Sequence, residues 1–337
     1  MRILYVISGL GFGGAEKQLV AVARALSARG HQIALYTLTD NVPRITELQH
    51  SGVLVVVDKK KVKLDARLLH RLRRMMTQWR PDLVHGFLFD GEIYARLAAA
   101  ATGIPVLGSE RSDNYRLSWP QRIVHRLTRG LVRGLVANTH SGAAFARRRF
   151  ALAADNVHVV WNGIDLDALE CQATSAIDYR SEFFGDSGVR LACLVGSIRP
   201  AKDYALALDA ALRLVSVQPV WRVLFIGDQT SRDGPGTSRY KASILERHRN
   251  SEGAEKIRFC GRRTDAAAIV RQCDVLYVSS AYEGFPNAVL EAMALGVPVA
   301  STEYSDIRRI LPFGEQIAGR SADDLVRAML WADAHRD

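Results

Sequence analysis

Short apolar runs alternate with longer amphipathic segments along almost the whole chain. An apolar run of roughly four to eight residues, ended by glycine or polar residues, is typical of a buried strand. In the first half such runs occupy residues 2–8, 32–38, 53–57, 82–85, 105–109, 134–137 and 157–161. In the second half they occupy residues 191–197, 223–228, 257–261, 275–280 and 297–301. Because helical segments separate most of these strands, we expect an α/β protein with parallel sheets covered on both faces.

The segments between the strands carry the spacing of helices. In residues 15–29 the apolar side chains fall at positions i, i+3, i+4 and i+7, namely Leu19, Val22, Ala23 and Leu26. Gly30 follows as a helix stop signal. The same reasoning predicts helices over residues 65–79, 91–101 and 322–334.

The rhythm of strands and helices lapses once, between Asn162 and about Val189, and then restarts. A chain of 337 residues is long enough for two domains of roughly 150 residues each. We therefore predict two Rossmann-like, doubly wound domains over residues 1–165 and 166–337, facing a cleft. In such sheets ligands bind at the carboxyl ends of the strands.

The composition excludes several classes of protein. Hydrophobic residues make up 48% of the chain, so each half can bury an ordinary core. The four cysteines lie far apart, without a C-x-x-C pair, which argues against a disulfide framework or a structural zinc site. The sequence has neither a signal-peptide pattern nor 18 consecutive apolar residues. We therefore expect a cytoplasmic protein.

Basic charge is concentrated in the first half. Residues 1–165 contain 24 Lys and Arg against 12 Asp and Glu, whereas the remaining residues contain 21 and 23. Residues 59–80 alone contain nine basic residues and one acidic residue, Asp65. This excess indicates either a solvated basic face or a surface for an anionic membrane or an acidic partner. Net charge alone is weak evidence for nucleic-acid binding, which we do not predict.

The segment YEGFPNAVLEAMALGVPVAST, residues 282–302, places two carboxylates around a predicted helix start. Glu283 follows the predicted strand 275–280, a helix begins near Asn287, and Glu291 lies one turn inside it. A helix N-terminus binds anions through its unpaired N–H groups and its dipole. A diphosphate bound there would lie near two carboxylates that accept hydrogen bonds from sugar hydroxyls. The alternative is a helix cap with a surface glutamate.

A second segment, VGSIRPAKDYALALDA, residues 195–210, joins a predicted strand to a predicted helix. It carries Arg199 and Lys202, two cations that suit a diphosphate leaving group. The alternative is a pair of solvated cations on a loop.

The first half carries a glycine-rich loop, Gly9-x-Gly11-x-x-Gly14, after its first strand. The spacing is formally that of a dinucleotide-binding loop, and Asp40 lies near the end of the second strand, where a ribose-binding acid would sit. An NAD(P)- or flavin-dependent oxidoreductase is therefore an alternative. Other polar residues at predicted strand ends are His85, Glu110 and Arg111. A lone strand-end histidine is more often structural than functional.

Four segments together resemble family 4 retaining glycosyltransferases, which have the GT-B fold. E-G-F-P-N-A-V-L-E resembles the family's E-x7-E motif, and FCGRRTD (259–265) resembles the segment before the motif strand. WNGIDLD (161–167) resembles the end of the N-terminal domain, and GLGFGGAEKQL (9–19) resembles the first glycine-rich loop. Ser-Glu-Arg at 109–111 resembles, less specifically than the E-x7-E motif does, a subset of family members linked to bacterial surface polysaccharides.

The resemblance implies roles for particular residues. Glu283 would contact the donor sugar, Glu291 the ribose hydroxyls, and Lys202 the leaving diphosphate. The remaining donor-side residues would be Gly284, Phe285, Pro286, Asn287, Arg262, Gly13 and Gly14. Where the family has an arginine directly after a glycine, this chain has Ser197, with Arg199 two residues later. The loop 108–119 lacks the histidine that many members carry, which leaves His85, Glu110 and Arg111 as acceptor-side candidates.

The combined interpretation is a glycosyltransferase that moves a hexose-like sugar from a nucleoside-diphosphate donor to an acceptor hydroxyl. Retention of configuration follows from the resemblance alone. The predicted donor-binding segments contain no D-x-D pair that would suggest a metal-bound diphosphate, since the pair Asp165-x-Asp167 lies at the predicted domain limit, so we expect neither a metal nor a cofactor. The alternatives are the oxidoreductase, a non-catalytic two-domain sugar-binding protein and a sugar-nucleotide epimerase. Family members usually carry a long C-terminal helix back to the first domain, and the last helix that this sequence predicts is 322–334.

Overall fold

A computed structural model describes residues 1–100, 102–111, 118–150, 153–227 and 235–336. The chain divides into two compact units, Met1–Gly163 and Ile164–Asp337. The division falls two residues before the domain limit that the lapse of periodicity predicts. The predicted loop 108–119 and the end of the predicted strand 223–228 lie partly outside the described residues.

The first unit is a doubly wound sheet of seven parallel strands. These strands are β1 (Arg2–Ile7), β2 (Gln32–Thr37), β3 (Leu54–Val57), β4 (Leu83–Phe87), β5 (Val106–Glu110), β6 (Gly134–Ala137) and β7 (Val157–Val159). Its helices are α1 (Gly14–Ala28), α2 (Ala66–Trp79), α3 (Leu88–Ala99), α4 (Trp119–Thr128) and α5 (His140–Phe150). The strand order is β3-β2-β1-β4-β5-β6-β7, so the order reverses between β1 and β4.

The central strand β1 is buried on both faces, as a parallel sheet between helices requires. Leu4 and Val6 pack in one core cluster with α2 and α3, and Ile3, Tyr5 and Ile7 pack in the other with α1. The apolar side of α2 is part of the first cluster, while its N-terminus is capped by the Asp65 carboxylate. This burial confirms that the apolar face of residues 65–79 belongs to the core.

The second unit is a doubly wound sheet of six parallel strands. These are β8 (Arg190–Val195), β9 (Trp221–Ile226), β10 (Ile257–Gly261), β11 (Val275–Val278), β12 (Val299–Thr302) and β13 (Ile317–Ala318). Its helices are α6 (Leu166–Ala173), α7 (Tyr179–Phe184), α8 (Tyr204–Val217), α9 (Pro235–Arg249), α10 (Ala266–Arg271), α11 (Asn287–Ala294), α12 (Ile307–Ile310) and α13 (Ala322–Ala334). The order β10-β9-β8-β11-β12-β13 reverses between β8 and β11.

The two sheets confirm the predicted fold class, and most strand limits lie within two residues of the prediction. The exception is β13, which the sequence does not indicate because two residues give no periodicity. The last helix, α13, occupies the predicted residues and packs within the second unit, against α8 and β12. In the described part of the chain, no helix has the length and apolar character needed to cross a bilayer.

Candidate active site

The candidate donor-binding residues of the second unit lie where its strand order reverses. Lys202 follows β8, and Glu283 follows β11, so the two residues come from the neighbouring strands at the reversal. Their side chains form a direct ion pair between Lys202 Nζ and Glu283 Oε1, with each side chain about one-fifth exposed. This is the position at which open α/β sheets bind ligands.

Hydrogen bonds hold the two loops that carry this pair against each other. The Ser279 hydroxyl donates to the Lys202 carbonyl at 2.7 Å, and the Ala281 N–H donates to the Ala201 carbonyl at 2.8 Å. The Ser280 hydroxyl donates to Glu283 Oε1 at 2.6 Å. The carboxylate of Glu283 is therefore oriented by one cation and one hydroxyl.

Arg320 joins the same cluster, although the sequence gives no signal for it. Its guanidinium donates to the Ser280 carbonyl at 3.2 Å and to Asp203 Oδ2 at 2.9 Å. Asp203 also caps α8 through its side chain and has φ of 47°, in the left-handed region that aspartate tolerates. Arg320 thereby fixes the loop after β11 to the start of α8.

Two glycines allow this cluster to be close-packed. A Cβ at Gly227 would lie 2.0 Å from the Gly196 carbonyl oxygen, so only glycine fits where the ends of β8 and β9 meet. A Cβ at Gly196 would lie 2.9 Å from Cε of Lys202. The lysine stem therefore lies directly over Gly196, and a side chain at Gly196 would displace the Lys202 ammonium.

Helix α11 begins at Asn287, with Pro286 as its N-cap residue. The N–H groups of a first helical turn have no intrahelical acceptor, which suits an anion. At this start of the helix the Asn287 N–H donates to the Phe285 carbonyl at 3.0 Å. Phe285 and Pro286 are buried, whereas Gly284 is partly exposed. The assignment of these residues to the donor site stays a prediction.

Glu291 lies one turn into α11 and is partly buried. Its side chain lines a small cavity of about 30 Å³. The other lining residues are Leu169, Val195, Ala266, Ala267, Val270, Ala288 and Leu295. Glu291 is thus the one carboxylate in a wall that is otherwise apolar, an arrangement suited to a single directed hydrogen bond.

The other two predicted cations of the second unit lie at the surface. Arg199 is exposed immediately before the short 3-10 helix Pro200–Lys202, and Arg262 is exposed immediately after β10. The neighbouring Arg263 is bound instead to Asp265, at 2.7 Å, and to Glu182. Lys202, by contrast, is partly buried and in direct contact with Glu283, a second predicted residue.

In the first unit, the glycine-rich loop leads from β1 into α1. Gly13 is the N-cap residue of α1, and Gly14 is its first residue. A Cβ at Gly13 would lie 2.3 Å from Glu16 Oε2, so the Glu16 carboxylate lies against the Gly13 Cα. Asp40, the ribose-binding acid of the oxidoreductase alternative, is exposed and paired with Lys59 at 2.6 Å.

The acceptor-side candidates of the first unit are mostly buried. His85, in β4, contacts Ser109 through Nε2 at 2.8 Å, and Glu110 ends β5 as a buried residue. Burial, reinforced by the Arg111 charge, lowers the pKa of His85 to about 3. Burial also lowers the pKa of Arg111 to about 10, and its guanidinium lies over the Phe87 ring at 4.6 Å. His85 is therefore neutral at physiological pH.

Behind these residues lies a buried network that the sequence does not reveal. The Glu92 carboxylate accepts the Ser109 N–H at 2.8 Å and is paired with Arg96. Arg96 in turn contacts His125 and Thr128, which belong to α4. Burial raises the pKa of Glu92 against the opposing Arg96 charge. The network positions the end of β5 and hence Glu110 and Arg111.

Among the described residues, no group of three or more His, Cys, Asp and Glu side chains is arranged to hold a metal ion. All four cysteines are free thiols.

Comparison with known families accounts for both units. Residues 12–168 match Glycosyltransferase Family 4, and residues 190–332 match Glycosyl transferases group 1. The chain belongs to the group 1 and family 4 type of GT-B glycosyltransferases. It is therefore an enzyme of the glycosyltransferase class rather than an oxidoreductase or a non-catalytic sugar-binding protein.

Two curated relatives and one solved structure illustrate the similarity. The chain is 29% identical to the lipopolysaccharide core biosynthesis mannosyltransferase LpsB of Rhizobium meliloti, over 52% of this chain and 49% of that protein. That match spans only about half the length of the relative. A Campylobacter jejuni N-acetylgalactosaminyltransferase, named for a diphospho-undecaprenol-linked acceptor, is 22% identical over 90% of this chain and 80% of its own. The fold matches that of Anabaena HepE in complex with UDP at a TM-score of 0.82. The sequence identity is 18%, and the match covers 100% of this chain and 91% of the HepE chain.

Proposed function

We propose that the protein transfers a hexose-like sugar from a nucleoside-diphosphate donor, bound by the second unit, to an acceptor hydroxyl bound by the first. The observation that carries the proposal is the Lys202–Glu283 ion pair at the reversal of strand order, beside the start of α11. HepE was crystallised with UDP and also with UDP-glucose, which supports a nucleotide-sugar donor for a chain of the same fold.

The pair suggests how donor binding would proceed. When a diphosphate approaches, Lys202 exchanges its carboxylate partner for phosphate oxygens, with Arg199 and the N-terminus of α11 adding positive potential. Glu283 is then free to accept hydrogen bonds from the sugar hydroxyls while Ser280 keeps it oriented. Glu291 would accept from the ribose.

Cleavage of the donor would develop positive charge on the sugar and negative charge on the leaving diphosphate. Lys202 and the α11 dipole stabilise the leaving group, so the proposed chemistry needs neither a metal nor a cofactor. We further propose that the anomeric configuration is retained. This part rests on the family resemblance.

The acceptor is proposed to be lipid-linked, in polysaccharide or glycolipid synthesis at the cytoplasmic face of a membrane. The names of the two curated relatives support this, since one acts in lipopolysaccharide core synthesis and the other on an undecaprenol-linked glycan. The basic excess of residues 1–165 supports a peripheral association with anionic lipid.

A thermal-shift screen of nucleotide sugars tests the donor half of the proposal. A donor present at 100 times its Kd stabilises the folded protein by about 2.7 kcal/mol. We expect one nucleoside diphosphate and its sugar conjugate to raise Tm, whereas NADH and free hexose leave it unchanged. A shift with NADH and none with any nucleotide sugar would contradict the proposal.

Turnover measurements test the reaction itself. Incubation of the bound donor with a lipid-linked acceptor should give a glycosylated product, and the product's anomeric proton coupling reports the configuration. Isomerisation of the donor sugar in the absence of acceptor would instead identify an epimerase.

A further inference from the structure

Helix α4 of the first unit has its polar and apolar faces reversed relative to an ordinary surface helix. Its buried side chains are His125 and Thr128, which are held by the Arg96 network. Its exposed side chains include Trp119, Ile123 and Leu127, spaced four residues apart and hence on one face. A soluble surface helix normally buries its apolar stripe against the core.

The exposure of this face is large. Trp119 is 73% exposed and Leu127 is 78% exposed, and Leu131, in the short 3-10 helix Arg129–Leu131 that follows, is also exposed. The inner face is already committed to buried polar contacts. Rotation of the helix to bury the apolar residues would therefore break the hydrogen bonds between Arg96 and its partners in α4.

The same segment is strongly basic. Its exposed arginines are Arg122, Arg126, Arg129 and Arg133, and the sequence has no Asp or Glu between residues 114 and 154. Helices that lie in a membrane interface have this composition, in which arginines flank an exposed tryptophan and exposed leucines. Arginine stems extend along the apolar layer while their charged ends reach the headgroups.

The more basic segment, residues 59–80, is less suited to this role. Lys59 is paired with Asp40, Lys60 with Asp90, and Arg71 with Asp58. Arg73 donates to the carbonyls of α3 residues 97 and 98. The apolar face of α2 is in the core, so the exposed apolar side chains of this segment are limited to Val62 and Leu64, which precede the helix and do not form a helical stripe.

We propose that the exposed face of α4 and the following 3-10 helix, Trp119–Leu131, is the surface by which the protein docks on an anionic bilayer. The proposal rests on the proposed function, since a lipid-linked acceptor requires access to the membrane. Trp119, Ile123 and Leu127 enter the interface, and the arginines attract anionic headgroups, each contributing about a fivefold gain in binding.

Co-sedimentation with vesicles tests the surface with two pairs of matched variants. Ile123→Ser/Leu127→Ser removes apolar side chains from α4, and Val62→Ser/Leu64→Ser removes a comparable exposed pair elsewhere in the same unit. Arg126→Ser/Arg129→Ser and Arg67→Ser/Arg74→Ser each remove two exposed arginines. Vesicles contain phosphatidylglycerol or phosphatidylcholine alone, each at low and high salt.

We expect the wild-type protein to bind the phosphatidylglycerol vesicles and to leave them at high salt. Both α4 variants should bind at least about tenfold more weakly, whereas the two control variants stay within about threefold of wild type. The Trp119 fluorescence should shift to shorter wavelength with vesicles, a change absent in Trp119→Phe. Circular dichroism and nucleotide affinity of all four variants should match wild type, which separates loss of docking from loss of folding or of the donor site.

Three outcomes would overturn the docking surface. Wild-type protein that ignores anionic vesicles has no such surface. Equal weakening by the α4 and control variants would show that only net charge matters. A wild-type dimer that dissociates on Ile123→Ser/Leu127→Ser, without any vesicle binding, would show that a second copy covers this face. None of these results alters the nucleotide-binding test, so failure of docking and failure of the proposed function are distinguishable.

Discussion

The two units place candidate residues on or just after corresponding strands of similar sheets, but in different environments. In each unit the strand order reverses beside the central strand, between β1 and β4 in one and between β8 and β11 in the other. In the second unit these ends carry Lys202 and Glu283, a partly exposed ion pair. In the first unit the corresponding β4 carries His85, which is buried and neutral.

The difference in environment indicates that the two units, although alike in architecture, are suited to different tasks. A partly exposed pair can exchange partners when a charged ligand arrives, because solvent and the ligand replace the lost contact. A buried neutral group cannot take up charge without a large desolvation cost. Under the proposed function, the second unit would recognise the diphosphate and the first would present a buried polar wall to the acceptor.

The largest expected effect concerns the charge of Lys202. Lys202→Met should lower kcat/KM for transfer by about 10²–10³, the cost of losing one preorganised group that stabilises the leaving group. Lys256→Met, which removes a cation that contacts the Val215 carbonyl in the same unit, is the control. Steady-state kinetics on both variants tests this prediction. Equal values of kcat/KM for the two variants would mean that Lys202 does not belong to the active site.

The next effect concerns the carboxylate on α11. Glu291→Ala should weaken binding of the cognate nucleoside diphosphate by roughly 1.5–3 kcal/mol, since a ribose hydroxyl loses its charged acceptor. Glu291→Gln, which keeps one oxygen, should lose less, and the exposed Glu315→Ala should lose nothing. Calorimetry measures all three, and an unchanged affinity for Glu291→Ala would contradict the ribose contact.

A third prediction tests the buried histidine of the first unit. The folded pKa of His85, about 3, lies below the ordinary value of 6.5, so protonation favours the unfolded chain as the pH falls. Between pH 7 and pH 5 this residue alone should lower the free energy of unfolding by about 2 kcal/mol.

Urea unfolding of wild type and of His85→Gln at the two pH values isolates this contribution, because glutamine does not titrate. An NMR titration should also show no change of the His85 ring signals above pH 5. A His85 titration midpoint near pH 6 would mean that the imidazole is accessible to solvent. The first unit would then, like the second, carry a candidate residue that can take up charge.

The smallest expected effect is that of metal chelation, for which we expect no change in the transfer rate. If Lys202 and the α11 dipole suffice for the leaving group, transfer should proceed at an unchanged rate in EDTA. Loss of activity in EDTA and recovery with magnesium or manganese would require a metal at the diphosphate.

Much of the fold could be read from local sequence. The apolar runs predict twelve of the strands because a buried parallel strand needs a continuous apolar segment whatever its neighbours are. Glu283, Glu291 and Lys202 are recognisable because each lies at a fixed distance from a strand end or a helix start. Arg320 and Glu92 are not, since each acts on residues distant in the sequence.

The sequence by itself determined the two-sheet architecture, through its periodicity, and the class of enzyme, through contiguous motifs that resemble a known family. Only the tertiary structure decided which charges meet. It paired Lys202 with Glu283, placed Lys59, Lys60 and Arg71 of the basic segment 59–80 in ion pairs, and buried His85 beside Arg111. It also turned the apolar face of α4 outward, because the inner face is held by a hydrogen-bond network from α3. Burial and pairing arise from contacts between distant segments, which no local pattern encodes.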